Sequence, residues 1–241
     1  MCQFLSLVAT KSGKIYGDGS YDSHGEIIKE NKDTQLKDDK LPSNNTFARV
    51  EVIPKDDNIF NHKIENWEVR VDESIKPKWW NNKLEKKCIE RLKEVFKKQF
   101  LIGGKYKIIN RDIRFIKDVE IEILKSKVGE MYDYSQVGKM YDSSQVGEMY
   151  DYSQVGKMYD SSQVGDMYDY SQVGKMYDSS QVGKMWNYSQ VGKMWNYSQV
   201  GEMYENTTIN IYSKDAIVKK QIGGRTVIIK RYLRKVKVSI K

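Results

Sequence analysis

The chain has 241 residues, 39% of them hydrophobic and 31% charged, with a formal net charge of +8 and a mean hydropathy of −0.70. That is enough chain for one or two domains with real cores, and it holds no run of about 18 apolar residues that could span a membrane. Two cysteines, Cys2 and Cys88, and two histidines, His24 and His62, are too few for a disulfide framework or a zinc site, so no metal or cofactor is expected.

The net charge is unevenly placed. Residues 1–127 hold 26 basic and 21 acidic side chains (+5), residues 128–206 hold 5 and 11 (−6), and residues 207–241 hold 10 and 1 (+9). An acidic middle between basic ends suggests contact with a charged macromolecule, or charge carried for solubility. The apolar stretch Phe4 to Ala9 is too short for a secretory signal and has no basic residues before it, so a cytoplasmic protein is expected. Without secretion, Asn44-Asn45-Thr46 and Asn187-Tyr188-Ser189 are chance matches to glycosylation acceptors.

Residues 1–127 read as a small α+β head. Gln3 to Thr10 is β-prone, and Lys11-Ser12-Gly13-Lys14 turns it into a short strand at Ile15-Tyr16. Asp22-Ser23-His24 gathers the residue types of a catalytic triad, but adjacent residues do not converge in space, so a turn is expected. Residues 29–46 are polar, with Pro42 against a helix, and read as a mobile loop. Phe47 to Pro54 and Trp67 to Asp72 alternate as strands, offering Val50, Val52, Trp67, Val69 and Val71 to a core.

Leu84, Cys88, Leu92 and Phe96 recur every four residues and predict an amphipathic helix over about residues 82–100, with Asn82 and Glu85 as a capping box and Gly103-Gly104 as the stop. Cys88 then lies on the buried stripe. Trp79-Trp80 points two indoles to opposite sides, one to anchor the helix and one, taken as Trp80, to offer a contact site. Lys105 to Ile109, Ile113 to Ile116 and Val119 to Leu124 read as further strands of an antiparallel head sheet leading into the repeat. Cys2 after the initiator methionine suggests an N-terminal nucleophile hydrolase, but no glycine-rich oxyanion segment follows it, and no enzyme is expected.

From Val128 a nine-residue phrase recurs, as in Val137-Gly138-Lys139-Met140-Tyr141-Asp142-Ser143-Ser144-Gln145. Its glycines cost a helix about 1 kcal/mol each, so residues 128–206 predict a parallel β-solenoid with Val and Met inward and a corner at Gly-Lys or Gly-Glu. Ser and Gln are expected to complete the wall through hydrogen-bonded ladders. An eighteen-residue alternation sets Tyr134, Tyr152, Tyr170 and Tyr188 against Ser143, Ser161 and Ser179, and acids against Lys139, Lys157 and Lys175. Two units per coil would stack Tyr on Tyr, but also like charge on like. Three units would often alternate acid with Lys. The two-unit reading is preferred and gives roughly four coils, about 20 Å long.

The phrase lacks the doubled glycine and aspartate of calcium-binding nonapeptide rolls. Its outward content is Tyr132-Asp133, Tyr150-Asp151 and Tyr168-Asp169, changing to Trp186-Asn187 and Trp195-Asn196. These aromatic rows either bind a partner or seal adjacent coils. Residues 207–241 read as a basic β cap in which Thr226 to Tyr232 pairs with Val236 to Ile240. Arg231, Arg234, Lys235 and Lys237 there either protect an edge or contact RNA or DNA phosphates.

The residues Met1-Cys2-Gln3-Phe4-Leu5-Ser6, Asp22-Ser23-His24, Arg49-Val50-Glu51 and Val71-Asp72-Glu73, with the Ser-Gln-Val-Gly-Lys-Met array, resemble uncharacterised phage and prophage proteins with a short head and a pentapeptide-like or nonapeptide array. That resemblance implies a phage context and supplies no catalytic residues. The expectation is a mainly β, non-enzymatic inhibitor of a host defence protein or ribonucleoprotein, anti-CRISPR-like, with no membrane and no small-molecule substrate. The alternative is a structural or adhesive repeat protein such as a virion component.

Overall fold

A computed structural model of the chain describes residues 4–21, 23–33, 36, 46–223, 225–231 and 237–240. The fold is mainly β and divides into two compact units, residues 1–98 and 99–241. Among the described residues no helix is long and apolar enough to cross a membrane.

In the first unit, β1 (Leu5–Thr10), β2 (Ile15–Tyr16), β3 (Phe47–Pro54) and β4 (Trp67–Val71) form an antiparallel sheet in the order β2-β1-β3-β4. The expected hairpin is present, with Val8 opposite Tyr16. All of β1 is buried, and Val8 packs with Ile27 and Phe47. The run expected as a turn instead opens helix α1 (His24–Glu30). Ser23 Oγ accepts the Glu26 amide at 3.2 Å, an N-cap bond, and its hydroxyl donates to the Glu26 carboxylate at 3.2 Å, at the Ser-x-x-Glu spacing of a helix start. Most of the loop expected over residues 29–46 lies outside the described residues.

Helix α2 (Asn82–Gln99) buries Leu84, Cys88, Leu92, Val95 and Phe96, the predicted stripe. Its cap lies one residue earlier than expected: Asn81 Oδ1 accepts the amides of Lys83 at 3.0 Å and Leu84 at 3.3 Å. Burial, reinforced by Glu85, pushes the Cys88 thiol up to about 12, so it packs as a hydrophobe and is inert.

The second unit is a parallel β-solenoid. It opens with β5 (Phe100–Ile102), β6 (Lys105–Ile109), β7 (Ile113–Lys117), β8 (Glu120–Leu124) and β9 (Lys127–Tyr132). Eight five-residue strands of the repeat follow, β10 (Gln136–Met140) through β17 (Gln199–Met203), and then β18 (Thr208–Ile211), β19 (Ile217–Gln221), β20 (Val227–Lys230) and β21 (Lys237–Ile240). Odd-numbered strands β5 to β19 stack in one sheet and even-numbered β6 to β20 in the other. Gln136 therefore pairs with Gln154 and Val137 with Val155, eighteen residues on: two repeats make one coil.

The strands at residues 105–124 are corrected from an antiparallel head sheet to parallel rungs. Ile113 pairs with Val128 and Ile116 with Met131, while Ile121 pairs with Val137 and Leu124 with Met140. These rungs share the repeat's spacing of two inward apolar residues three positions apart. Each sheet thus has eight parallel rungs, about 34 Å at about 4.8 Å each, in place of the four coils expected.

Inside, Val and Met of every repeat are at most 1% exposed. Two residues between two inward side chains bend the strand, and glycine occupies the bend because the coils touch there. A Cβ on Gly156 would lie 2.6 Å from the Gly138 carbonyl oxygen, and one on Gly174 2.6 Å from that of Gly156. After each strand the chain turns through a residue of positive φ: Asp133, Asp142, Asp151, Asp160, Asp169, Asp178, Asn187 and Asn196 lie between 53° and 58°. Asp and Asn enter that left-handed region more readily than other residues bearing a Cβ. The expected Ser side-chain ladder does not form among the described residues: repeat Ser hydroxyls such as that of Ser153 are buried with no hydrogen-bond partner there. The ladder runs through the backbone, with Gln154 N–H donating to the Ser135 carbonyl at 2.9 Å.

The expected terminal hairpin is β20 with β21, Val227 opposite Ile240, but β20 is itself a parallel rung on β18. It closes one sheet; the other ends on β19.

Candidate interaction surface on the solenoid

Stacking two repeats per coil turns each outward position into a column. Tyr132, Tyr150, Tyr168, Trp186 and Tyr204 form one, with ring centroids 4.9 Å apart at Tyr132–Tyr150, 5.0 Å at Tyr150–Tyr168 and 3.4 Å at Trp186–Tyr204. Phe100 and Phe115 continue it below. On the other sheet Tyr141, Tyr159 and Tyr177 stack at 5.0 and 5.1 Å, and Trp195 lies 4.9 Å from Tyr212. Face-to-face stacking covers the ring faces, so these columns seal coil to coil and offer a partner only edges. A third column, Tyr134, Tyr152, Tyr170 and Tyr188, stacks at 5.2–5.4 Å yet is about half exposed, from 45% to 65%. It is the outermost aromatic row, and the eighteen-residue alternation was its signal.

The aspartates and asparagines of the phrase have a local explanation in the turn. Asp133 N–H donates to Asp151 one coil on at 3.4 Å, and Asp142 N–H to Asp160 at 3.1 Å. Asn187 and Asn196 then end these acidic columns by donating side-chain amides to Asp169 and Asp178, each at 3.1 Å. The Tyr-Asp to Trp-Asn change keeps the turn and terminates a stack of like charges.

The position before each Met is Lys in every repeat strand of one sheet and mostly an acid on the other. Glu130, Glu148 and Asp166 pair in register on one side, where Tyr132 and Tyr150 donate their hydroxyls to Glu130 and Glu148 and Tyr168 donates to Asp166 at 3.3 Å. Burial first, then the carboxylate partner, holds the Tyr132 and Tyr150 phenols well above their ordinary range. Above them Lys184 reaches Asp166 at 3.8 Å, and Lys220 reaches Glu202 at 3.7 Å. On the other side Lys139, Lys157, Lys175 and Lys193 pair in register, and among the described residues none of the four ion-pairs with a carboxylate. Successive lysines of this column leave the backbone one rung, about 4.8 Å, apart, so their like charges lie along one line of the sheet. Beside this column the glycines leave a shallow groove of about 570 Å³ over Gly138 and Gly156, walled by Gln136, Gln154, Glu122 and Lys107.

Of the remaining candidates, Trp80 is buried, and its indole donates to Glu85 at 2.9 Å, so it anchors α2 and is corrected from a contact site. Arg231 Nε donates to Asn210 at 3.1 Å. Lys237 lies in β21, while Cys2, Arg234 and Lys235 lie outside the described residues.

In the first unit, the motifs that carry the phage resemblance gather into one polar cluster. His24 Nε2 lies 3.1 Å from the Val50 carbonyl and 3.3 Å from Glu51, and Nδ1 lies 3.8 Å from Asp72. Ser6 donates to Glu51 at 3.5 Å, and Arg49 to Glu73 at 3.1 Å. Ser23 is engaged in the cap of α1. His24, Glu51 and Asp72 have ligand atoms within 4.8 Å of one another and, among the described residues, are the side chains that could share one metal ion. With Nε2 already engaged, their evident work is to tie α1 to β3 and to the residues after β4.

No protein-family model, no curated protein and no solved structure matches this chain.

Proposed function

We propose that the protein is a non-enzymatic binding protein that docks on a macromolecular partner, a host protein or nucleoprotein, through the outside of its solenoid. The observation that carries this reading is the column Lys139, Lys157, Lys175 and Lys193, aligned in register with no carboxylate in ion-pair reach among the described residues. Holding like charges in line is unfavourable in isolation and becomes favourable when an acidic surface neutralises them. The exposed rings of Tyr134, Tyr152, Tyr170 and Tyr188, already stacked on one another, would lose little side-chain freedom on binding. Inhibition of a bacterial defence system is what the phage resemblance adds to this reading.

The test is capture from a bacterial lysate, with and without nuclease, by the wild-type chain and by Lys157→Glu/Lys175→Glu. A stoichiometric partner retained by the wild type and depleted at least ten-fold by the variant is expected, and its loss on nuclease treatment assigns a nucleoprotein. Equal retention by both chains overturns the lysine column as the contact surface.

A further inference from the structure

The carboxylates Glu130, Glu148 and Asp166 and the ammonium groups Lys139, Lys157 and Lys175 occupy the same position of the phrase on opposite sheets. Their spacing along the solenoid is fixed by the same rung separation, about 4.8 Å. Two charged columns with an identical period stay in phase for as many rungs as they overlap. A DNA strand in a duplex advances about 3.4 Å per phosphate and falls out of step with such a column within two rungs.

We propose that a second copy of this chain is a partner of the lysine column: the basic sheet of one solenoid lies along the acidic sheet of another, Lys139, Lys157 and Lys175 facing Glu130, Glu148 and Asp166. This rests on the reading that the solenoid's outer ladders are contact surfaces, and it names what one of them meets. The tyrosine hydroxyls occupy part of each carboxylate, and a carboxylate has about four acceptor sites, so acceptor capacity remains for an incoming lysine. In this register Lys193 meets Lys184, next in the acidic column, and the three facing pairs of opposite charge outnumber that one like-charge contact.

The two surfaces are different, so the contact is heterologous and does not close on itself; copies add side by side. A sheet of eight rungs and five-residue strands is about 34 by 17 Å, roughly 600 Å² per partner, at the lower end for specific association. Weak, salt-sensitive assembly is therefore expected.

Sedimentation velocity of the full chain tests this, at about 50 mM and about 500 mM salt. The wild type is expected to associate with rising concentration at low salt, with an apparent Kd at least ten-fold weaker at high salt. Two variants supply the decisive comparison: Lys139→Glu/Lys157→Glu/Lys175→Glu, acidic on both sheets, and Glu130→Lys/Glu148→Lys/Asp166→Lys, basic on both. The repeat itself carries either charge at this position, so both variants should fold, as circular dichroism will check. Each alone should stay monomeric, and an equimolar mixture should associate again. A wild type that remains monomeric at low salt, or a lysine variant that associates as the wild type does, overturns the inference. So does association that requires an added oligonucleotide. Any of these leaves the lysate capture to decide the binding reading separately.

Discussion

On one sheet the outer column carries Lys139, Lys157, Lys175 and Lys193 in succession; on the other, Glu130, Glu148 and Asp166 are tied to tyrosine hydroxyls before Lys184 interrupts the acids. Behind both columns stand the same buried Val and Met. The interior obeys a period of nine and the exterior a period of eighteen. What must pack is therefore the same in every repeat, and what faces outward changes with the sheet. The difference teaches which positions the fold constrains and which it leaves open to recognition.

The sharpest way to break this comparison is to alter one constrained and one free position side by side. Gly156→Ala puts a Cβ 2.6 Å from the Gly138 carbonyl oxygen, in a backbone held from both sides by parallel ladders. We expect a loss of about 3 kcal/mol, in the range of overpacking in a closed core. Its neighbour Lys157→Glu should change stability by no more than about 0.5 kcal/mol. Thermal unfolding followed by circular dichroism reads both; equal midpoints would show that the coils can separate at the glycine column.

A second contrast separates the two sheets by pH. Tyr132 and Tyr150 on the acidic sheet have phenol pKa values raised from 10.0 by burial and then by their carboxylate partners. A phenol raised in the folded state contributes stability that is fully present below its unfolded pKa and is lost as pH climbs toward the folded value. Stability should thus be flat near neutrality and fall above about pH 10. Glu130→Gln/Glu148→Gln should bring tyrosinate absorbance to lower pH, whereas Lys139→Gln/Lys157→Gln should not. An unchanged titration in the first variant would remove the carboxylates as a cause.

Much of this was legible in the sequence, and the failures have physical reasons. The period announced the solenoid, and the Tyr134 to Tyr188 alternation favoured two repeats per coil, as the register confirms. The rungs at residues 105–124 were misread because Val119, Ile121 and Ile123 alternate like an ordinary strand. In fact Ile123 faces outward in the lysine column, and Ile121 with Leu124 faces in. The part that the aspartates of the Tyr-Asp rows play in the turn was not legible, because composition cannot distinguish an exposed aspartate from one needed for a left-handed turn. Nor can it tell an open ring from one stacked on both faces. Helix α1 was missed although Ser23 and Glu26 stand at capping spacing, since Asp22-Ser23-His24 was weighed for its chemistry and not as a helix start.

The smallest effect concerns the third inward position. Ser153 is fully buried, and its hydroxyl has no hydrogen-bond partner among the described residues. Rungs about 4.8 Å apart leave hydroxyls of successive coils too far apart to bond one another. The side chain is small enough for the turn, but the oxygen is desolvated without return, and leaving such a group unpaired costs about 1–3 kcal/mol. Ser153→Ala removes the oxygen and keeps the Cβ, so stability should stay level or rise by up to about 1 kcal/mol, opposite in sign to Gly156→Ala. The same experiment on Thr207, whose hydroxyl donates to the Tyr204 carbonyl at 2.6 Å, should instead cost about 1 kcal/mol. If Ser153→Ala proves destabilising by that amount, the serine column is hydrogen-bonded in solution, and the interior of the solenoid is held by side chains as well as by its backbone ladder.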